Sequence, residues 1–221
     1  MQKMTTADGS DTILSDVFGE SYHSKHGAIT ESSHVFIQNG LLPQVKDHSD
    51  LNILEIGFGT GLNALLTMIE LERLKRTKVY YVAYELYPIT NDSASELNYP
   101  QFLNHSQAKE WLAKIHQAPW GSTSSLTPYF DLEKRKQSFE ALEDKNQFHL
   151  IYMDAFAPSA QPEFWELPFL MKLSESLRPG GILVTYCAKG SFKRALIAAG
   201  FAVEGLPGPP GKREMTRAVR P

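Results

Sequence analysis

Residues 55–61 read Glu55-Ile56-Gly57-Phe58-Gly59-Thr60-Gly61. An apolar run, residues 51–56 (LNILEI), leads into them. Residues 61–74 follow, with Leu62, Leu65, Leu66, Ile69 and Leu74 falling largely on one helical face. The order is strand, glycine turn, helix. Glycines let the backbone turn sharply and approach a ligand closely. The helix N-terminus behind them favours a carboxylate or phosphate. A dinucleotide fingerprint, G-x-G-x-x-G, needs a glycine at its sixth position. Leu62 holds that place and the third glycine comes one residue early, which counts against NAD and FAD.

Outward from the turn, strands and helices alternate. Residues 79–84 (VYYVAY) form a second strand, rich in β-branched and aromatic side chains. Residues 107–115 suggest a helix, 129–139 an edge strand of mixed polarity, and 150–153 (LIYM) a buried strand. Residues 163–177 read as a helix stopped by Pro179-Gly180-Gly181, 182–186 (ILVTY) as a strand, and 191–199 as a helix closed by Gly200. Residues 201–206 and 215–219 are final strands joined by the loop 207–213, with no helix between them, so they are expected to pair antiparallel. The alternation predicts an α/β fold: a mostly parallel sheet with helices on both faces and an antiparallel last strand. Such a sheet binds its ligand outside the carboxyl ends of its strands. Residues 1–20 are polar and expected to be a loose arm; residues 21–221 are expected to form one domain.

Two acids stand at strand ends. Glu85 closes the second strand, where a carboxylate can accept hydrogen bonds from both hydroxyls of a ribose; by itself it also reads as a surface charge. Asp154 ends the strand 150–153 in Met153-Asp154-Ala155-Phe156-Ala157-Pro158. Its competing reading is a helix N-cap. The segment 55–61, as E-x-G-x-G-x-G, resembles the cofactor turn of Rossmann-like class I methyltransferases that use S-adenosyl-L-methionine (SAM). That resemblance implies SAM as cofactor, held by Glu55, Gly57, Phe58, Gly59 and Gly61, with Asn63 just inside the helix and Glu85-Leu86 on the ribose. Methyl transfer from a sulfonium needs mainly position and charge. An amine nucleophile must also lose a proton, and a carboxylate such as Asp154 can take it. Phe156 and Trp165 are expected to wall the pocket.

A closer resemblance runs from about residue 20 to the C-terminus. It is carried by Tyr22-His23-Ser24 with Gly27, Glu31 to Ile37 (ESSHVFI), Gly57 to Asn63 (GFGTGLN), and Tyr84 to Thr90 (YELYPIT). Asp154 to Pro158 (DAFAP), Arg178-Pro179-Gly180-Gly181 and Lys212 to Met215 (KREM) complete it. Together these motifs are similar to the methyltransferase half of the bacterial enzymes that complete 5-methylaminomethyl-2-thiouridine at the tRNA wobble position (MnmC type). The resemblance implies N-methylation of the 5-aminomethyl group of a wobble (2-thio)uridine, with Asp154 at the methyl-transfer site. It implies substrate or RNA contacts at Tyr22, Ser24, Glu31, Phe156, Pro158, Lys212 and Arg213. The partner is then the tRNA anticodon region. Three departures stand out. Gln137-Ser138 occupies the family's Gly-Asp near the adenine, so Ser138 takes a place in the cofactor set. Ala155 replaces a glycine, and Ala160-Gln161-Pro162 replaces Lys-Asn-Pro. No second glycine fingerprint for a flavin oxidase follows, so a separate enzyme is expected to form the aminomethyl uridine.

Composition agrees with a soluble, cytoplasmic enzyme. Of 221 residues 42% are hydrophobic, enough for a sizeable core, and no run approaches the ~20 apolar residues of a membrane span. One cysteine, Cys187, excludes an internal disulfide framework, and seven histidines show no metal-ligand spacing, so no metal is expected. The net charge of −3 hides an asymmetry: residues 178–221 hold eight Lys/Arg against Glu204 and Glu214, a net +6 on a body of −9. Such a segment suits an anionic partner, although on composition alone a solvated face is the commoner meaning. Competing activities are N-methylation of a small amine or protein, an aminopropyltransferase, and a non-catalytic tRNA-binding module. The aminopropyltransferase turn is usually Gly-Gly-Gly-Asp-Gly, unlike GFGTG.

Overall fold

The computed structural model describes residues 2–221. The chain starts as a hairpin of β1 (Gln2–Thr5) and β2 (Asp11–Leu14). A continuous helical segment follows: α1 (Ala28–Ser32), a π-helical stretch Ser33–Leu41, and α2 (Leu42–Gln44). Then come β3 (Asp50–Ile56), α3 (Leu62–Leu74) and β4 (Lys78–Tyr84). Three helices, α4 (Asn91–Ser95), α5 (Tyr99–Phe102) and α6 (Ala108–Gln117), lead to β5 (Thr123–Thr127) and β6 (Phe130–Arg135). The rest is β7 (Phe148–Met153), α7 (Leu167–Ser176), β8 (Leu177–Thr185), α8 (Gly190–Ala198), β9 (Ala202–Pro207) and β10 (Glu214–Val219).

Eight strands make one sheet in the order β5-β6-β4-β3-β7-β8-β10-β9. The five strands from β6 to β8 are mutually parallel; β10 runs antiparallel to both β8 and β9. Strands covered on both faces carry apolar residues on both, as in β3: Ile53 faces one layer while Leu54 and Ile56 face the other, all fully buried. The first layer is the 28–44 segment with α3 and α6; the second is α7 and α8. Gly40 lets the π-helical stretch lie tight on the sheet, since a Cβ there would stand 3.0 Å from a methyl of Val184. No helix among the described residues is long and apolar enough to cross a membrane.

Four expectations need correction. Residues 2–14, read as a loose arm, form the hairpin, with Asp11, Thr12 and Ile13 buried. Gln2, Lys3 and Thr5 are exposed, but the polarity of the stretch around Thr6 to Thr12 serves an internal network. Asp8 accepts from the Thr30 backbone N–H (2.9 Å) and hydroxyl (2.8 Å) and from the Ser10 N–H (3.0 Å). It thereby satisfies an N-terminal donor of α1, whose own N-cap, Gly27, has no side chain. The strand over 129–139 is not an edge, because β5 pairs outside it. The helix expected over 163–177 is split at Glu166, which is extended (φ −102, ψ 161), into a 3₁₀ turn Pro162–Trp165 and α7. Pro168 lacks the N–H a continuous helix requires. Pro179-Gly180-Gly181, read as a terminator, lies inside β8, which begins at Leu177.

Candidate active site

The strands β3, β4 and β7 end side by side, and the chain after each faces a cavity of about 200 Å³. The floor is the glycine turn. Gly57, Gly59 and Gly61 have φ of 93°, 51° and 72°, a left-handed backbone that disfavours any side chain. The N–H groups of Gly57 and Phe58 donate to the Tyr84 carbonyl at 3.2 and 3.0 Å, binding the turn to the end of β4. A Cβ on Gly57 would meet the Asp154 carbonyl oxygen at 2.6 Å, and one on Gly59 the Tyr22 ring at 2.8 Å. These glycines are therefore required by the protein's own packing.

Glu85 reaches back over the turn. Its carboxylate accepts from the Gly59 N–H (3.0 Å) and the Tyr87 N–H (2.9 Å), and it lines the cavity while only 8% exposed. Burial pushes its carboxyl above the usual range, against the backbone N–H groups that favour the charge. The surface-charge reading is thereby excluded. Asp154 caps no helix either, since the next helical element begins only at Pro162. Its Oδ2 accepts from Asn63 Nδ2 at 2.8 Å, and the same amide donates to Glu55 Oε1 at 2.9 Å. Burial raises the Asp154 carboxyl well above its ordinary value, with Glu31 adding to the rise and Asn63 and Lys212 opposing it. Glu55 is completely buried behind Asn63, and desolvation raises it too.

The segment after the hairpin forms the outer wall. Phe156 packs between Phe18 (4.8 Å between ring centroids) and Tyr22 (5.0 Å). His23 bridges Thr12 (3.3 Å) and Thr60 (3.4 Å), so β2 is tied to the glycine turn; burial lowers this imidazole to about 4 and keeps it neutral. On the far wall Lys212 Nζ pairs with Glu31 at 2.6 Å and lies 4.1 Å above the Tyr186 ring, whose hydroxyl donates to the Ala155 carbonyl at 2.8 Å.

Sequence similarity assigns this arrangement. The family model described as "S-adenosyl-L-methionine-dependent methyltransferase" matches residues 108–221, more than half of the chain. The chain belongs to that family. Its methyltransferase fold and its cofactor, SAM, follow. This methyltransferase is 30% identical over 226 residues to the tRNA 5-methylaminomethyl-2-thiouridine biosynthesis bifunctional protein MnmC of Aeromonas hydrophila, covering 95% of this chain and 34% of that protein. It is 31% identical over 227 residues to the protein of that name from Aromatoleum aromaticum, covering 96% and 34%. The chain thus spans about a third of the length of the curated relatives it matches. The crystal structure of MNMC2 from Aquifex aeolicus superposes with a TM-score of 0.80 at 25% identity, covering 100% of this chain and 72% of that one.

The methyltransferase brings most of the expected residues to one place. Gly57, Gly59, Glu85, Leu86, Ser138, Asp154, Tyr22, Ser24, Glu31, Phe156 and Lys212 all line the cavity. Glu55 and Asn63 stand behind Asp154, as support. Four others lie elsewhere. Phe58 is buried against His116 and Trp120, and Gly61 faces His116. Pro158 and Arg213 are not part of the lining. Trp165 does not wall the pocket: it is buried against Tyr186 and Phe192 and holds the Phe156 carbonyl through its indole N–H at 2.8 Å. Phe18, Tyr87, Phe139 and Tyr186 are lining residues that sequence reasoning missed. Tyr87 and Tyr186 carried a signal, each lying just beyond a parallel strand's carboxyl end. Phe18 carried none, because only the hairpin's fold brings it there.

Proposed function

We propose that this methyltransferase N-methylates the 5-aminomethyl group of a wobble (2-thio)uridine in tRNA, giving 5-methylaminomethyl-2-thiouridine. The observation that carries the reading is Asp154: a half-buried carboxyl at the end of β7, aimed by Asn63 and facing a cavity walled by Phe156 and Tyr22. The relatives named above support the substrate class.

The residues present fit SAM. Glu85 offers a carboxylate to vicinal hydroxyls, the glycine turn stands beside it, and Ser138, Phe139 and Leu86 continue the lining. When bound, SAM supplies a methyl group on a good leaving group, open to in-line displacement by an amine. Asp154 orients that amine and takes its proton, and its raised affinity for protons suits it to accept one. The Glu31–Lys212 pair leaves one fixed ion pair opposite, and the aromatic wall keeps water from the nucleophile.

The test is incubation of the protein with SAM and tRNA bearing 5-aminomethyl-2-thiouridine, followed by mass spectrometry of the nucleosides. A gain of one methyl group on that nucleoside is expected. Methylation of small free amines or of protein with none on the tRNA would overturn the proposal.

A further inference from the structure

The basic C-terminal segment resolves into three groups. Lys193, Lys212 and Arg217 are neutralised by Glu214, Glu31 and Glu204 at 2.8, 2.6 and 2.7 Å. Arg178 and Arg220 sit at the amino end of β8, away from the cavity, on the carbonyls of Gln147 and Leu177. Lys189, Arg194 and Arg213 remain, all exposed and without a carboxylate partner among the described residues. These three lie at the carboxyl end of β8. The Arg194 guanidinium stands against Gly190, next to Lys189, and Cys187, two residues before Lys189, feels the charges of both Lys189 and Lys212. Gly211 packs on the His26 ring, which brings exposed Lys25 to the same loop as Arg213. Lys25, Lys189, Arg194 and Arg213 are thus four exposed cations with no carboxylate partner among the described residues, set on the segments beside Tyr186 and Lys212 of the cavity wall.

The cavity also has an exposed apolar border. Val17, Leu86 and Tyr87 are 57%, 40% and 45% exposed, and Phe18 ties them to the cavity, 5.8 Å from Tyr87 and 4.8 Å from Phe156. Asp16 and Glu20 add acid on that side. The substrate proposed above brings a polyanion with unstacked bases to this surface. A nucleic acid strand uses both: phosphates meet cations, and unstacked bases lie on aromatic faces.

Resting on the function proposed above, we infer that a single RNA strand crosses the cavity mouth. Its phosphates lie on Lys25, Lys189, Arg194 and Arg213, and its bases on the ledge of Val17, Leu86 and Tyr87. Lys212 is not part of this track, because its charge is already spent on Glu31 inside the cavity.

The probe is a tRNA transcript with uridine at the wobble position, its binding measured by anisotropy over a salt series. The triple variant Lys189→Ala, Arg194→Ala, Arg213→Ala should lose about 2 from the slope of log affinity against log salt, at about 0.7–0.9 per phosphate contact. Its SAM affinity by calorimetry should stay the same. A control triple on exposed cations elsewhere (Lys46→Ala, Arg76→Ala, Lys109→Ala) should keep the wild-type slope. Tyr87→Ala should weaken tRNA binding about tenfold while Tyr87→Phe restores it, as stacking requires. A wild-type slope in the first triple overturns the track while leaving the proposed function standing. A wild-type protein that does not bind tRNA overturns both.

Discussion

Asn63 Nδ2 is the hinge of the site's chemistry. One amide group donates to the catalytic candidate Asp154 at 2.8 Å and to buried Glu55 at 2.9 Å. Asp154 therefore has its rotamer fixed by Asn63, while desolvation raises its proton affinity against that hydrogen bond. Replacing it separates chemistry from architecture. Asp154→Asn keeps an oxygen for Asn63 but takes no proton, so it should lose about 10²–10⁴ in turnover, as much as Asp154→Ala. SAM affinity should stay within a few-fold in both. Single-turnover kinetics with calorimetry checks this, and an active Asp154→Asn variant would reduce Asp154 to a structural hydrogen-bond acceptor.

At the scale of elements, the N-terminal hairpin carries the segment that forms the cavity's outer wall, and Asp8 fastens it. That carboxylate accepts from Thr30 and Ser10 across the hairpin–α1 boundary. An unpaired buried N–H costs about 1–3 kcal/mol. Asp8→Ala should therefore destabilise the fold by about 2–3 kcal/mol and loosen the wall formed by Phe18 and Tyr22. The expected result is a lower urea midpoint, earlier proteolytic cutting within residues 15–20, and weaker SAM binding. Wild-type proteolysis kinetics in this variant would show that the wall is held by its aromatic contacts alone.

For the whole molecule, two groups bound the pH range of stability. Burial alone would raise Asp8, but hydrogen bonds from Ser10 and Thr30 outweigh it and hold the carboxyl at about 2, against an ordinary 3.8. Its contribution is complete above pH 3.8 and is lost as pH falls through 2. Lys134 acts at the other limb. It is 1% exposed, donates to the His116 carbonyl at 2.8 Å, stacks over Trp120 at 4.6 Å and has no carboxylate partner among the described residues. Desolvation lowers it to about 8. Between about 8 and 10.5 the unfolded chain keeps a proton that the folded one has released, so Lys134 makes stability rise with pH there. Denaturant midpoints across pH 7–10 for wild type and Lys134→Met should converge at neutral pH less well than at pH 10. Parallel curves would show that Lys134 does not titrate in the fold.

The sequence by itself determined the parallel sheet, the glycine turn and the two acids at strand ends. Each is local: a run of apolar residues makes a strand, alternating glycines make a left-handed turn, and a residue's place after a strand needs no distant partner. GFGTGLN, DAFAP and KREM carried the family for the same reason. What depended on distant partners was decided by the tertiary structure. Polar residues 2–14 read as solvated until the fold supplied α1 as their hydrogen-bonding partner. Lys212 read as a phosphate contact until Glu31, 181 positions earlier, came within 2.6 Å of it. Phe18 reached the cavity only through the hairpin. A charge or a polar side chain has no fixed meaning along the chain, because its energy depends on what the fold sets beside it.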